Sequence, residues 1–560
     1  MAIDSKNAIT HKALYSTLLI LLLTLLFLVS YKPVFSNDIW LHLKVGELIA
    51  RDPLHLPRTD CFTYTSSGRP WILHEWLSQL LFFELYDSVG LTGLRFFRSV
   101  VETLTLALFF CGTYRLTRRP VMSLAMLLVI AYLLRTRFHI RPEIFSHLFM
   151  AMFFLVYFTM REYRWRLLLP VFVGLVLWAN LHSFVVSIVV ILIIGVISCG
   201  LASLRPFKHA FARPSGTKFK AAMLASATLA VFVTPYGSRI LDYAFAGSQV
   251  ARSYIMEWQP IFIFLQRGPF RTLRGAIAFP FLLKAIVLSI VTLFIAGLLL
   301  SILWRRSPRW PLDHVLIGLA MIFLALSAAR FVWLLTIPLI LAAHYFSMVM
   351  TTLDKASERS LVPGLTVWLL FWASIFFWIN TARTAIPWNM HHAVAQNHYP
   401  TAIADILKEV PLKGRMFNPY GWGAYLIFSL YPDYQVFVDG RTVLHGGALL
   451  RDHYTILHEN PGYQTLVDDK YQFDFMMLSK EYGVLNRLSN NSWILLFENY
   501  NSSLYLRRNQ ANGSNLRRFA DYYSANGIPF DMKRGFDATA AMKNGPSWAR
   551  RHGLDGKSTS

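Results

Sequence analysis

The order of apolar and polar positions divides the chain into long hydrophobic runs separated by short basic loops, with two larger polar regions. The first run, LYSTLLILLLTLLFLV, starts at Leu14, and runs of 18 or more apolar residues recur along the chain. A helix of that length crosses a bilayer core of about 30 Å. The pattern predicts eleven spans, near 14–31, 91–114, 121–135, 143–160, 167–180, 183–204, 220–235, 276–303, 312–328, 331–350 and 362–380. No small-residue cleavage site follows the first run, so it reads as a retained helix. The loops RLTRRP (115–120), REYRWR (161–166), RPFKHAFARPSGTKFK (205–220) and RRSPR (305–309) fall on one side. Short loops rich in Lys and Arg mark the cytoplasmic side. The N-terminus then lies inside, and residues 32–90, 236–275 and 381–560 lie outside.

The stretch SNDIWLHLKVGELIARD (36–52) leaves the first span and predicts a helix over 38–51. Plotted at 100° per residue, Leu41, Val45, Leu48 and Ile49 form one stripe, and Trp40, Lys44, Glu47 and Arg51 oppose it. Such a helix is expected in the membrane interface, with Trp40 at headgroup level. Asp38 and His42 fall on its apolar side, where a polar group is costly. Asp38 also suits a helix cap.

The outer C-terminal region predicts an α/β domain over 381–508. Residues 400–410 read as helix, GRMFN as a short strand, GWGAYLIFSLYP as helix and YQVFVDGR as a buried strand. FDFMMLS, SWILLFENY and SSLYLRR read as further strands. Residues 509–560, rich in Gly, Asn, Ser and Arg, read as a mostly flexible tail with one short helix at 516–524.

Composition agrees with a polytopic membrane protein. The chain is 55% hydrophobic and 15% charged, where a soluble domain carries about 25%. Much of the net charge of +23 sits in loops beside the spans, which favours anionic lipid over nucleic acid as partner. The three cysteines are far apart and give neither a disulfide framework nor a metal spacing.

Polar residues unusual for a membrane surface collect on the outer side. Besides Asp38 and His42, the first outer loop holds Asp60, His74 and Glu75. RTRFHIRPEIFS supplies Arg137, His139, Arg141 and Glu143. WANLHSF supplies Asn180 and His182, SYIMEWQP supplies Glu257, and Ala329-Arg330 supplies Arg330. Ionisable residues at membrane depth usually face a cavity or a partner; for any one of them, a snorkelling side chain or a structural ion pair is the plain alternative. In the C-terminal domain, Asp439 and Arg441 end the YQVFVDGR segment, where ligands bind in such sheets; a turn-stabilising pair is the plain alternative there too. Carboxylates act as general bases or stabilise an oxocarbenium-like transition state. Arginine holds phosphate. Together these fit glycosyl transfer from a lipid phosphate at one outer-face cavity. No acidic D-x-D pair indicates a metal, and no glycine-rich phosphate loop indicates a nucleotide-sugar donor.

The chain resembles the GT-C superfamily of integral-membrane glycosyltransferases, and within it a bacterial group of polytopic membrane proteins. The stretches that carry this are DIWLHLKVGELIARDPLHLPRTDCFTYTSSGRPWILHEWL, RPEIFSHLF, LWANLH, EWQP and FNPYGWGAYLIFSLYPDYQVFVDGRTVLHG. The resemblance implies a transmembrane domain over 1–380 whose first outer loop, 32–90, bears the interfacial helix. It implies an outer-face transferase of the bacterial cytoplasmic membrane that serves the cell envelope. The donor would be a polyprenyl-phosphate-linked sugar and the acceptor a glycan, lipid or protein. Asp38 takes the place of the family's acid at the end of the first span. The family commonly pairs two acids there; here Trp40 follows, which leaves Asp60 and Glu75 as candidates for the second carboxylate. His42, His74, Arg137, His139, Arg141, Asn180, His182, Glu257, Arg330, Asp439 and Arg441 are the expected substrate contacts. A transporter or flippase of a lipid-linked or anionic solute, and a non-catalytic membrane scaffold, are the readings from other classes.

Overall fold

Apolar periodicity sets most of the helices. The computed structural model describes residues 2–34, 36–160, 164–267, 278–304, 307–354, 399–480 and 492–555, and the chain is 69% helical. In chain order the first helices are α1 (Ala2–Ser30), α2 (Asp38–Arg51), α3 (Trp76–Thr117), α4 (Pro120–Leu134), α5 (Glu143–Thr159), α6 (Leu168–Leu181) and α7 (Val186–Leu201). They continue with α8 (Arg205–Ala210), α9 (Thr217–Phe232), α10 (Arg239–Tyr254), α11 (Ile261–Arg267), α12 (Ala278–Leu303), α13 (Leu312–Ser327) and α14 (Thr336–Asp354). Among the described residues, four segments are long and apolar enough to cross a membrane: Ala13–Ser30, Ser183–Leu201, Leu282–Leu303 and Ala329–Thr352, of 18, 19, 22 and 24 residues. At 1.5 Å per residue these reach roughly 27–36 Å. The helices Pro120–Leu134, Glu143–Thr159, Trp165–Leu181 and Leu312–Ser327 are apolar but shorter. The predicted span 362–380 lies outside the described residues, as do 161–163 and 305–306 of the basic loops.

The chain divides into two units. One, the span unit, comprises Met1–Lys32 and Thr92–Trp388; the other, the loop unit, comprises Pro33–Leu91 and Asn389–Ser560. The boundary falls inside α3, whose helical geometry breaks at Gly90 with φ +64°, a backbone state that favours glycine. The first outer loop therefore groups with the C-terminal residues, and the expectation that it belongs with the spans is corrected.

In the span unit, Ile20, Leu21, Leu169 and Phe323 stay more than half exposed, as side chains facing lipid would. Ala329–Thr352 is the opposite case, with 83% of an 18-residue stretch of it buried. Its Tyr345 stacks on Trp310 at 4.7 Å, and Trp310 meets Phe294 at 4.8 Å. A buried ion pair ties α9 to α13. Lys220 Nζ lies 2.5 Å from Asp313 Oδ2, which also accepts from Tyr157 Oη of α5 at 3.2 Å.

In the loop unit, α2 is mostly buried. Trp40 is buried against Tyr399, Tyr425 and Phe428, which corrects its expected place at headgroup level. Ile39, Leu41, Leu43, Val45 and Ile49 are buried as well. The helical wheel could not show this, because the aromatic partners come from hundreds of residues away. A Cβ at Gly46 would collide with the Gln79 backbone, so α2 and the first part of α3 pack almost backbone to backbone.

The sheet has four strands, β1 (Met416–Phe417), β2 (Phe475–Ser479), β3 (Trp493–Glu498) and β4 (Ser502–Arg507), in the order β1-β2-β4-β3. β1 runs parallel to β2, and β4 is antiparallel to both neighbours, with Met477 opposite Leu504. The helices Thr401–Glu409, Gly423–Leu430 and Thr442–Leu457 accompany it. The YQVFVDGR segment is not a sheet strand. Its backbone is satisfied instead by Phe62 and Tyr64 and by the Asn418 side chain.

The expected flexible tail is folded. Helices Gly513–Ala525, Ala538–Asn544 and Pro546–Arg551 and a small β5 (Phe530–Asp531) and β6 (Gly535–Phe536) hairpin enclose Tyr523, Phe536 and Trp548. Four spaced aromatics stabilise this segment despite its polar composition: Tyr523 meets Phe530, Phe536 and Trp548 within 5.5 Å.

Candidate functional site

The residues expected at one outer-face cavity divide between the two units. In the span unit, Arg137 ends the turn after α4, Glu143 opens α5, Glu257 sits in the turn after α10, and Arg330 opens the 3-10 stretch before α14. Helix ends bring these four together. Arg137 donates through Nε and Nη2 to Glu143 and through Nη1 to Glu257 Oε2 at 2.6 Å. Arg141 and Arg330 approach the other Glu257 oxygen at 3.7 and 3.9 Å. Arg330 lies 4.4 Å over the Trp258 ring, and its Nε is buried without a hydrogen-bond partner.

Three guanidinium groups thus share the Glu257 carboxylate. Burial alone would raise Glu257, but Arg137, Arg141 and Arg330 hold it well below the usual carboxylate range. Burial also works against a charged Arg137, yet Glu143 and Glu257 keep it firmly protonated. His139 is pushed well below the usual imidazole value by burial and by Lys32, Arg141, Arg137 and Arg98, so it is neutral. His182 Nδ1 lies 2.7 Å from Ser146 Oγ, which accepts from Trp178 Nε1 at 2.7 Å. Asn180 donates to the Val176 and Val233 carbonyls at 2.9 and 2.8 Å. That amide bridges α6 to the end of α9, and its expected substrate contact becomes a structural one.

In the loop unit, Asp38 is the first helical residue of α2; Asn37, not Asp38, holds the cap position. Asp38 is half-buried, and a Cβ at Gly440 would lie 3.0 Å from its Oδ1. Tyr420 donates to the Gly440 carbonyl at 2.9 Å. Burial, and then Asp38 and Asp439, raise its phenol far above the usual value, against the Thr442 hydrogen bond. The opening SNDIW and the distant VDGR therefore meet inside this unit. Glu75 lies between two imidazoles, 3.3 Å from His74 Nε2 and 4.0 Å from His42 Nε2. His42 Nδ1 pairs with Gln79 at 3.3 Å.

Asp60 is tied down. Its carboxylate accepts from the Phe62 and Thr63 amides and the Thr63 hydroxyl, and pairs with Arg441 Nη2 at 2.7 Å. This occupancy corrects Asp60 from candidate base to positioning residue. Arg441 also pairs with Asp439 at 2.5 Å and covers the Trp71 ring at 4.4 Å. Burial would raise Asp439, yet Arg441 and His445 hold it far below its usual value. Asp439 and Arg441 thus form the turn-stabilising pair. Among the described residues, no group of three or more His, Cys, Asp or Glu side chains is arranged to hold a metal ion.

The sequence placed Glu143 beside Arg137, His139 and Arg141 without making it a site residue, and it missed His147, Ser146 and Tyr420 as members of these clusters. Glu143 and His147 stand one helical turn apart in RPEIFSHLF, 3.8 Å from each other, a spacing visible in the sequence. Tyr420 had no such signal. No protein-family model matches the chain, and no curated protein matches it.

Proposed function

We propose that this chain is a glycosyltransferase that moves a sugar from a polyprenyl-phosphate-linked donor to an acceptor outside a bacterial cytoplasmic membrane. In this reading eleven spans of a GT-C-like domain put the N-terminus inside and the loop unit outside. The observation that carries it is the sharing of Glu257 by Arg137, Arg141 and Arg330. A phosphate group is the ligand best suited to several guanidinium groups gathered at helix ends. In glycosyl transfer the acceptor hydroxyl loses its proton to a base. Its oxygen attacks the anomeric carbon, and the bond to the lipid phosphate breaks with its electron pair leaving on phosphate. Arg141 and Arg330 are assigned the departing phosphate. Within the loop unit taken by itself, Asp38 is the candidate base, and Glu75, His42 and His74 are the candidate assisting groups. The test is reconstitution of the purified full-length protein with lipid extract from a deletion strain. Release of the phosphorylated polyprenyl carrier that falls roughly 10²-fold or more in Arg141→Gln or Arg330→Gln is expected. Release by these variants at the wild-type rate would contradict the assignment.

A further inference from the structure

The C-terminal end of α1 is clamped by α3. Arg98 Nη2 donates to the Ser30 and Lys32 carbonyls, and Arg95 Nε donates to the Lys32 carbonyl at 3.3 Å. The end of a helix leaves carbonyls unpaired and carries partial negative charge, so guanidinium groups suit it. The clamp uses only part of each guanidinium. Arg95 and Arg98 are 2% and 1% exposed, yet Arg95 Nη2 and Arg98 Nε have no hydrogen-bond partner. Glu102 follows on the same helix face and is equally buried, with neither oxygen hydrogen-bonded. Buried polar atoms without partners are rare, and a cluster of them calls for an explanation, of which a bound polar group is one.

Lys32 belongs to this group. Burial and then Arg98 pull its ammonium below the usual value, while Glu102 opposes them. Phe97, between Arg95 and Arg98 in the chain, packs on Phe145 of α5 at 6.1 Å, two residues beyond Glu143, which joins this group to the arginine cluster. Lys32, Arg95, Arg98, Arg137, Arg141 and Arg330 outnumber Glu102, Glu143 and Glu257. Excess buried positive charge is costly unless an anion offsets it. A phosphodiester brings a single negative charge; a diphosphate brings more.

We propose that Lys32, Arg95 and Arg98 form a second phosphate subsite next to Arg137 and Arg141, so that the span unit takes a diphosphate in preference to a single phosphate. The inference rests on the phosphate-binding reading of the arginine cluster. Arg98 and Arg95 keep their hold on α1 and present their remaining N–H groups to the second phosphate. Lys32 supplies a point charge.

The experiment measures binding of farnesyl phosphate and farnesyl diphosphate to the full-length protein in detergent. The diphosphate is expected to bind on the order of tenfold more tightly. Lys32→Gln is expected to bring the ratio close to one, and Lys32→Arg to preserve it. Equal affinities in the wild type, or a full ratio in Lys32→Gln, would overturn the second subsite and leave the arginine cluster standing. Failure of either farnesyl ligand to bind would overturn the phosphate reading itself, and this subsite with it. Inorganic pyrophosphate separates the sources. Competition as strong as that of farnesyl diphosphate assigns the subsite a soluble diphosphate, and competition by the farnesyl compound alone assigns a lipid-linked one.

Discussion

At the scale of single residues, Asp38 and His453 carry the sharpest expectations. An acid in the first turn of a helix contributes about 0.3–1 kcal/mol through the helix dipole, whereas loss of a general base slows transfer by roughly 10²–10⁴-fold. Asp38→Asn and Asp38→Ser are therefore expected to reach normal abundance in the membrane and to fail in complementing a deletion strain. Complementation by Asp38→Ser at normal abundance would leave Asp38 a structural role only. His453 accepts from the Tyr420 amide at 3.0 Å and stacks on Phe417. Burial first, then His458 and His445, lower it to about 3. The folded chain then binds fewer protons at this site than the unfolded chain, whose histidine titrates near 6.5. Stability is complete above about pH 6.5 and declines as pH falls toward 3, by a few kcal/mol. Thermal unfolding followed by tryptophan fluorescence should show that decline, and His453→Gln should flatten it. Asp38 and Arg137 were legible because acids and arginines stand out beside apolar spans. Glu257 stood out for the same reason, whereas Gly440, which meets Asp38 from about four hundred residues away in the chain, did not.

Among the elements, those defined by their own period were readable and those defined by distant partners were not. Helices α4 to α7, α9, α12 and α13 follow from apolar runs, and β2, β3 and β4 from alternating apolar strands between turns. YQVFVDGR has the same apolar character as those strands, but Asn418 and the 62–64 backbone take its hydrogen bonds, and no strand of the sheet pairs with it. The α2 wheel failed for a related reason, because Trp40 is covered by residues near 399 and 425. The Lys220–Asp313 pair tests the packing of α9 on α13. Removing one partner strands a buried charge at a cost of about 3–5 kcal/mol, while replacing both by apolar residues of similar size is near neutral. Lys220→Met and Asp313→Leu are each expected to lower the thermal stability of the detergent-solubilised protein, and the double substitution to restore most of it. A double variant as unstable as the sum of the singles would show that the ion pair itself holds these helices.

For the whole molecule, composition and hydropathy were enough to indicate a helical chain with membrane-crossing segments, and among the described residues four segments meet that length and apolarity. The division into units was not legible. It depends on residues 33–91 packing with residues beyond 389, a pairing that no local pattern announces. The fold of 509–555 was hidden for the same reason, since its few aromatics act only once they meet. The central claim is that this assembly transfers a sugar from a lipid phosphate at the outer face of the membrane. The most direct measurement compares lipid-linked sugars and envelope glycans in a deletion strain and in the same strain carrying the wild-type gene or Asp38→Asn. The account predicts that the deletion and Asp38→Asn strains accumulate one polyprenyl-phosphate-linked sugar and lack the matching glycan substitution, and that the wild-type gene reverses both. Identical profiles in all three strains would contradict it.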